Sequence, residues 1–207
     1  MPTKATVLRS RDVESEATRR AILDAAEDLL ATVGEDGLSI REVCTRAGVT
    51  APTIYHHFGD KAALVARVVE DCFADFGNAF AHRAAPADPV EALRWSFDRY
   101  VEYGLRHPIH YRLMFGKRLS RPSPAGLASY DGLRRRVMAL ADAGRLRAPL
   151  EEATAAFWAS VHGVTSLLIS QFWSPDNPAI ALVRDAMIDQ LSTPKPAPAR
   201  RTKGTPR

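Results

Sequence analysis

Cysteine is scarce: Cys44 and Cys72 are the only two in 207 residues. So few thiols make neither a disulfide framework nor a metal motif. Both fall on apolar faces of predicted helices, which reads as buried structural thiols rather than redox sensors. No stretch of eighteen apolar residues exists, so no membrane-spanning helix is predicted. Residues 1–16, MPTKATVLRSRDVESE, lack an apolar signal core, which argues against secretion and predicts a cytoplasmic protein. Sustained period-two alternation and Asn-Gly hairpins are missing too, so strands are not expected. Catalytic signatures fare no better. There is no GxSxG, no glycine-rich phosphate loop followed by Lys-Ser/Thr, and no carboxylate pair set in an apolar run. No enzyme and no cofactor are therefore expected.

Charge is less informative than it looks. The formal net charge is +4, but residues 193–207 (TPKPAPARRTKGTPR) contribute +5 and no acid, so the other 192 residues sum to −1. The basic balance is a tail effect, and any argument for a polyanion partner must rest on a local stretch.

That stretch is residues 38–61, LSIREVCTRAGVTAPTIYHHFGDK. Ser39 with Glu42 three residues on has the form of a capping box, predicting a helix whose apolar face is Ile40, Val43, Cys44 and Ala47. Gly48 ends it. Thr50 is placed to cap the next helix, with Pro52 in its first turn, where a missing N–H costs nothing. At about 100 degrees per residue, Ala51, Ile54 and Phe58 face inward while Pro52, Thr53 and His56 face out, flanked by Tyr55 and His57. The outward side is short, aromatic and hydrogen-bonding, with no carboxylate, which suits the DNA major groove. Gly59 stops that helix, Asp60 caps another, and Lys61 stands at its first position. A cation there opposes the helix dipole unless a phosphate docks beside it.

Seven further helices are predicted around this pair. Helix one carries Ile22, Ala25, Ala26, Leu29, Leu30 and Val33, ending at Gly34. Helix four repeats Leu64, Val65, Val68, Val69, Cys72, Phe73, Phe76 and Phe80 for nearly six turns, long enough to link two domains. Asp88 and Pro89 open helix five. Helix six follows Pro108, a basic loop covers residues 116–124, and helix seven spans about 125–143. Helix eight begins near Pro149 with Glu151 and Glu152 in its first turn, and helix nine has a stripe of Ile180, Val183, Met187 and Leu191. The whole is all-α: a three-helix DNA-binding domain plus a larger helical bundle, about nine helices in all. Its expected parts are a disordered arm over 1–16, a helix-turn-helix domain over 17–65, a second domain over 66–192 and a basic disordered tail over 193–207.

The run 18–80, with AGVTAPTIYHHFGDKAAL at its centre, resembles the DNA-binding domain of the tetracycline-repressor (TetR/AcrR) family. Gly48, Val49, Thr53, Ile54, Tyr55, His57, Phe58, Lys61 and Leu64 stand where that family's pattern has them. Ala51 departs from members with a longer base-reading side chain, which shifts sequence reading toward Arg41, Thr53, His56 and DNA shape. FWASVHGV, with Trp158, His162 and Gly163, and HPIHYRLMF resemble the family's WHG-type C-terminal domain. The resemblance implies a homodimer through the last two helices and a ligand pocket among the others. Small residues of helix eight, Ala153, Ala156, Ser160, Gly163 and Ser166, would permit close helix approach.

The implied partners are double-stranded palindromic operator DNA and a small, largely apolar effector, and the implied function is that of a ligand-responsive repressor. Candidate DNA-contacting residues are Ser39, Arg41, Thr50, Ala51, Pro52, Thr53, Tyr55, His56, His57 and Lys61. Candidate pocket residues are Phe73, Phe76, Trp95, Tyr100, Tyr103, His107, Met114, Phe157, Trp158 and His162. The pairs His107/His110 and His56/His57 lack the further ligands a metal site needs, and Arg134, Arg135 and Arg136 read as a solvated helix face with no aromatic among them. An alternative remains: a helical small-molecule-binding protein that acts through protein partners without reading an operator.

Overall fold

A computed structural model describes residues 4–81, 83–116 and 123–194. Among them are nine α-helices: α1 (Lys4–Gly37), α2 (Ile40–Ala47), α3 (Ala51–Phe58), α4 (Lys61–Ala81), α5 (Pro89–Arg106), α6 (Pro108–Phe115), α7 (Pro124–Asp142), α8 (Leu150–Ile169) and α9 (Ala179–Leu191). The all-α architecture is as expected from the missing strand signals. α1 differs. Its backbone is helical from Lys4, where a disordered arm through residue 16 was expected, and residues 13–17 lie exposed. No apolar stripe is needed for that, because local helix propensity is enough to extend a helix already anchored further along. Gly34 breaks α1 with φ 69° and ψ −179°. A side chain there would be strained, so glycine fits the stop.

The chain divides into two compact units: residues up to 84 with 102–131, and 85–101 with residues from 132 onward. The expected division lay between residues 65 and 66, inside α4. α4 is buried along its length, from Leu64 to Phe76, and packs on α1, α3 and α6. A helix covered by three neighbours of one unit cannot be cut partway.

In the first unit, Ile22, Leu29, Val43, Ile54, Leu64 and Val68 are at most 2% exposed. Each such side chain stabilises by roughly 1.5–3 kcal/mol relative to exposure. Val33, expected on the same stripe, is 49% exposed, just before the break at Gly34. Glu70 of α4 holds the start of α7, accepting from Ser123 Oγ at 2.6 Å and from the Ala125 N–H at 2.8 Å. Residues 117–122 of the expected basic loop lie outside the described residues.

In the second unit, Leu93, Phe97, Val137, Leu140, Phe157 and Ile188 form the core. Phe97 and Phe157 meet edge to face, centroids 6.1 Å apart. Asp88 caps α5 through the Val90 and Glu91 N–H groups at 2.9 and 3.3 Å, and its other oxygen accepts from Arg145 Nη1 at 2.8 Å. Arg145 Nε donates to the Thr193 carbonyl, and the Thr193 N–H returns a bond to the Arg145 carbonyl. Thr193, expected to begin the tail, is thereby tied down; residues 195–207 lie outside the described residues. α9 buries Ile188 and Leu191, while Ile180, Val183 and Met187 are half-exposed. The expected stripe was one face off because Arg184 and Asp185 turn that side toward α5, where Arg94 and Asp98 bind them. The arginine run differs as well. Arg136 lies 5.9 Å from the Trp95 ring centroid and Arg134 binds Glu151 at 2.7 Å. These partners are remote in sequence, so the run is not a bare solvated face.

Candidate nucleic-acid interface

α2 and α3 are held apart by a left-handed turn. Gly48 takes φ 66° and ψ 31° and its N–H bonds the Cys44 carbonyl, the geometry that favours glycine after a helix. Val43 and Ile54, both 0% exposed, fix the pair on α1 and α4. Arg19 of α1 then places its guanidinium 5.5 Å from the Phe58 ring centroid, holding the far end of α3.

With Ile54 inward, the opposite side of α3 must face out. Tyr55 is 48% exposed, and Pro52 and His56 are exposed beside it, while Ala51, Thr53 and His57 are half-exposed. The His56 and His57 rings meet nearly edge to face, centroids 5.4 Å apart. Ser39, Arg41 and Thr50 are exposed and Lys61 half-exposed. All ten candidate residues therefore present surface from consecutive elements, α2 to the start of α4.

Two capping expectations fail in detail. Ser39 and Thr50 both have extended N-cap backbones but make no side-chain cap bond. Their carbonyls, not their hydroxyls, begin the helices, accepting from the Glu42 and Thr53 N–H groups at 3.0 Å each. The Thr50 hydroxyl pairs instead with that of Thr53 at 3.0 Å. Asp60 does cap, taking the Ala63 N–H at 2.6 Å. One of α4's leading N–H groups is thus already occupied beside Lys61.

The ten candidate pocket residues are divided between the two units. In the first unit, Phe76 and Tyr103 lie edge to face at 5.0 Å, Phe73 stands on Phe115, Met114 is buried, and His107 packs 4.7 Å from the Tyr103 ring. In the second, Tyr100 OH lies 3.4 Å from His162 Nδ1, and Trp158, 36% exposed, lies 5.5 Å from the His162 ring. Burial holds the His162 pKa below its usual value, so the ring is neutral near pH 7. Phe157 and Trp95 are occupied by Phe97 and Arg136. Cys72 is buried, its thiol pushed up to about 12 by that burial, which leaves it inert. Among the described residues, no three His, Cys, Asp or Glu side chains gather to hold a metal, and no helix is long and apolar enough to cross a membrane.

One half-buried polar chain escaped the sequence reading. His110 Nε2 lies 2.7 Å from Glu27 Oε1, His110 Nδ1 lies 3.0 Å from Tyr103 OH, and Tyr103 OH lies 3.2 Å from the Cys72 carbonyl. Its only signal was the His107/His110 spacing, since Glu27 is 83 residues from His110.

A left-handed turn glycine, an inward Ile and an outward Tyr-His face define an all-helical protein with a helix-turn-helix. The family model of bacterial regulatory proteins of the tetR family matches residues 22–68, and that of the tetracyclin repressor-like C-terminal domain matches residues 93–191. The chain belongs to the TetR family. It is 35% identical over 109 residues to the HTH-type transcriptional repressor NicS of Pseudomonas putida, covering 52% of this chain and 50% of NicS. The match thus spans about half the length of that relative. Among solved structures, a protein with unknown function from Rhodococcus sp. RHA1 superposes with a TM-score of 0.70 at 26% identity, covering 85% of this chain and 96% of that one. AibR, crystallised with isovaleryl coenzyme A and operator DNA, shares the fold with a TM-score of 0.63 at 19% identity, covering 84% and 97% of the two chains.

Proposed function

We propose that this protein is a dimeric, ligand-responsive transcriptional repressor of the cytoplasm, without enzymatic activity, that binds a palindromic operator through α3. The observation that carries the reading is the outward face of α3, where Tyr55, His56 and Pro52 lie exposed over a fully buried Ile54. Tyr55 and Lys61 serve as phosphate contacts, and Arg41, Thr53 and His56 read base edges. Ser39, Thr50, Ala51, Pro52 and His57 complete the contacting surface.

Two such helices must reach successive major grooves about 34 Å apart, which requires a second copy. α8, α9 and the turn between them supply its surface, with Leu182 of α9 69% exposed, Phe172 of the turn 80% exposed and Gly163 of α8 exposed. Tyr100, Trp158 and His162 supply the aromatic and hydrogen-bonding character for an apolar effector, and an effector that prefers the non-binding conformation releases DNA by its differential affinity.

Lys61→Ala tests the DNA reading. Its operator affinity should fall with a salt slope smaller by about one, the mark of one lost phosphate contact. A salt titration by gel shift with unchanged slope removes the phosphate assignment.

A further inference from the structure

The chain from Glu27 to the Cys72 carbonyl can be counted proton by proton. The Cys72 carbonyl only accepts, so the Tyr103 hydroxyl donates its single hydrogen to it. The Tyr103 oxygen must then accept from His110 Nδ1. His110 Nε2 faces the Glu27 carboxylate, which also only accepts. Both ring nitrogens therefore carry hydrogens, and the complete chain requires an imidazolium. With a neutral ring only one nitrogen donates. Keeping the Glu27 bond leaves Nδ1 as an acceptor, and the Tyr103 hydroxyl must turn from the helix carbonyl to the ring.

We propose that His110 is a proton-operated latch of the DNA-binding unit: doubly protonated, it holds Glu27 of α1 and the Tyr103 oxygen of α5 together, and loss of its Nδ1 proton draws the Tyr103 hydroxyl off α4. The elements joined are the ones that support the recognition helix. α1 packs on α2 and α4, and its Arg19 holds Phe58 at the end of α3.

The surroundings favour the charged ring. Glu27 raises the His110 pKa first through its hydrogen bond, burial opposes it, and the Glu27 and Asp75 charges add while Arg20 subtracts. The Glu27 pKa is lowered in turn, chiefly by that same bond. From the α6 N-cap, His107 stacks 5.3 Å away, and its own pKa is lowered by desolvation first and by His110 second. Tyr103 and the Cys72 thiol stay neutral, both raised by burial. Of the other nearby charges, Arg67 pairs with Asp71 at 2.8 Å, Arg20 with Asp24 at 2.8 Å and Arg19 with Glu16 at 3.7 Å. His110 borders a cleft of about 200 Å³ between these groups, through which protons can exchange.

Histidine ring NMR on the full chain tests the latch, with His110 assigned by the signal lost in His110→Gln. The wild-type midpoint should lie above the ordinary value of about 6.5 and fall in Glu27→Gln. Tyr103→Phe removes only the hydroxyl and keeps the ring against Phe76. It should lower the midpoint, because Nδ1–H loses its acceptor. A midpoint raised or unchanged in Tyr103→Phe overturns the proposal, since a Tyr103 that donated to Nδ1 would favour the neutral ring. The consequence for DNA rests on the regulator reading. On a duplex from upstream of its own gene, wild-type affinity should fall several-fold more than that of His110→Gln as pH rises through this midpoint. His110→Gln retains His56 and His57, so equal falls also overturn it. No binding by any variant at any pH defeats the regulator reading instead, and the ring titration still decides the latch.

Discussion

α3 and the C-terminal unit use their aromatic and imidazole groups in opposite ways. In α3 the rings of Tyr55 and His56 turn to solvent over a packed Ile54. In the C-terminal unit Phe97 and Phe157 meet inside, and the half-buried His162 ring is shared with Tyr100 and Trp158. The α3 rings sit on a helix that carries no carboxylate, which is the basis for assigning that face to DNA. The lesson is that exposure marks the first site, whereas a half-buried imidazole set against other rings marks the second.

The largest contrast concerns stability. Phe157→Ala should cost about 3–5 kcal/mol and Ile54→Ala about 2–5 kcal/mol in denaturant unfolding, whereas Tyr55→Ala should stay within about 0.5 kcal/mol. A Tyr55→Ala cost as large as that of Ile54→Ala would erase the distinction between face and core. Next, Arg145→Ala should cost about 1.5–3 kcal/mol, the range for hydrogen bonds to charged groups. Asp88, with its side chain 31% exposed, can recover water, which keeps the loss at the lower end.

The smallest effects are in pH, and they sharpen the comparison by their sign. The His110 pKa is raised by Glu27, so its contribution is complete below the unfolded value and disappears as pH rises through the folded one. Burial lowers that of His162, so its contribution is complete above the unfolded value of about 6.5 and is lost as pH falls below it through the folded one. Thermal melts should show His110→Gln removing the alkaline loss and His162→Gln the acid one. The same sign for both would refute the opposed environments.

Legibility followed sequence distance. The turn at Gly48, the inward Ile54, the Pro52 helix start and Lys61 at the head of α4 are local, so three- and four-residue spacing was enough to place them. The Thr50 capping hydroxyl was misjudged because Thr53 competes for it at the same range. What spacing could not supply were partners far along the chain: Glu27 for His110, Arg145 for Asp88 and Trp95 for Arg136. Each joins helices whose packing is decided by the whole core, and the α9 stripe was misplaced for the same reason. The pocket candidates, chosen by residue type, separated into two units because type does not specify a neighbour.

The central claim is that α3 reads DNA. Fluorescence anisotropy with the full chain on a duplex from upstream of its own gene and on a random duplex tests it most directly, comparing wild type with His56→Ala. Wild type should prefer the upstream duplex, and His56→Ala should lose that preference by about 1–3 kcal/mol while keeping most of its affinity for random DNA. Equal wild-type affinity for both duplexes, unchanged by His56→Ala, would contradict the account.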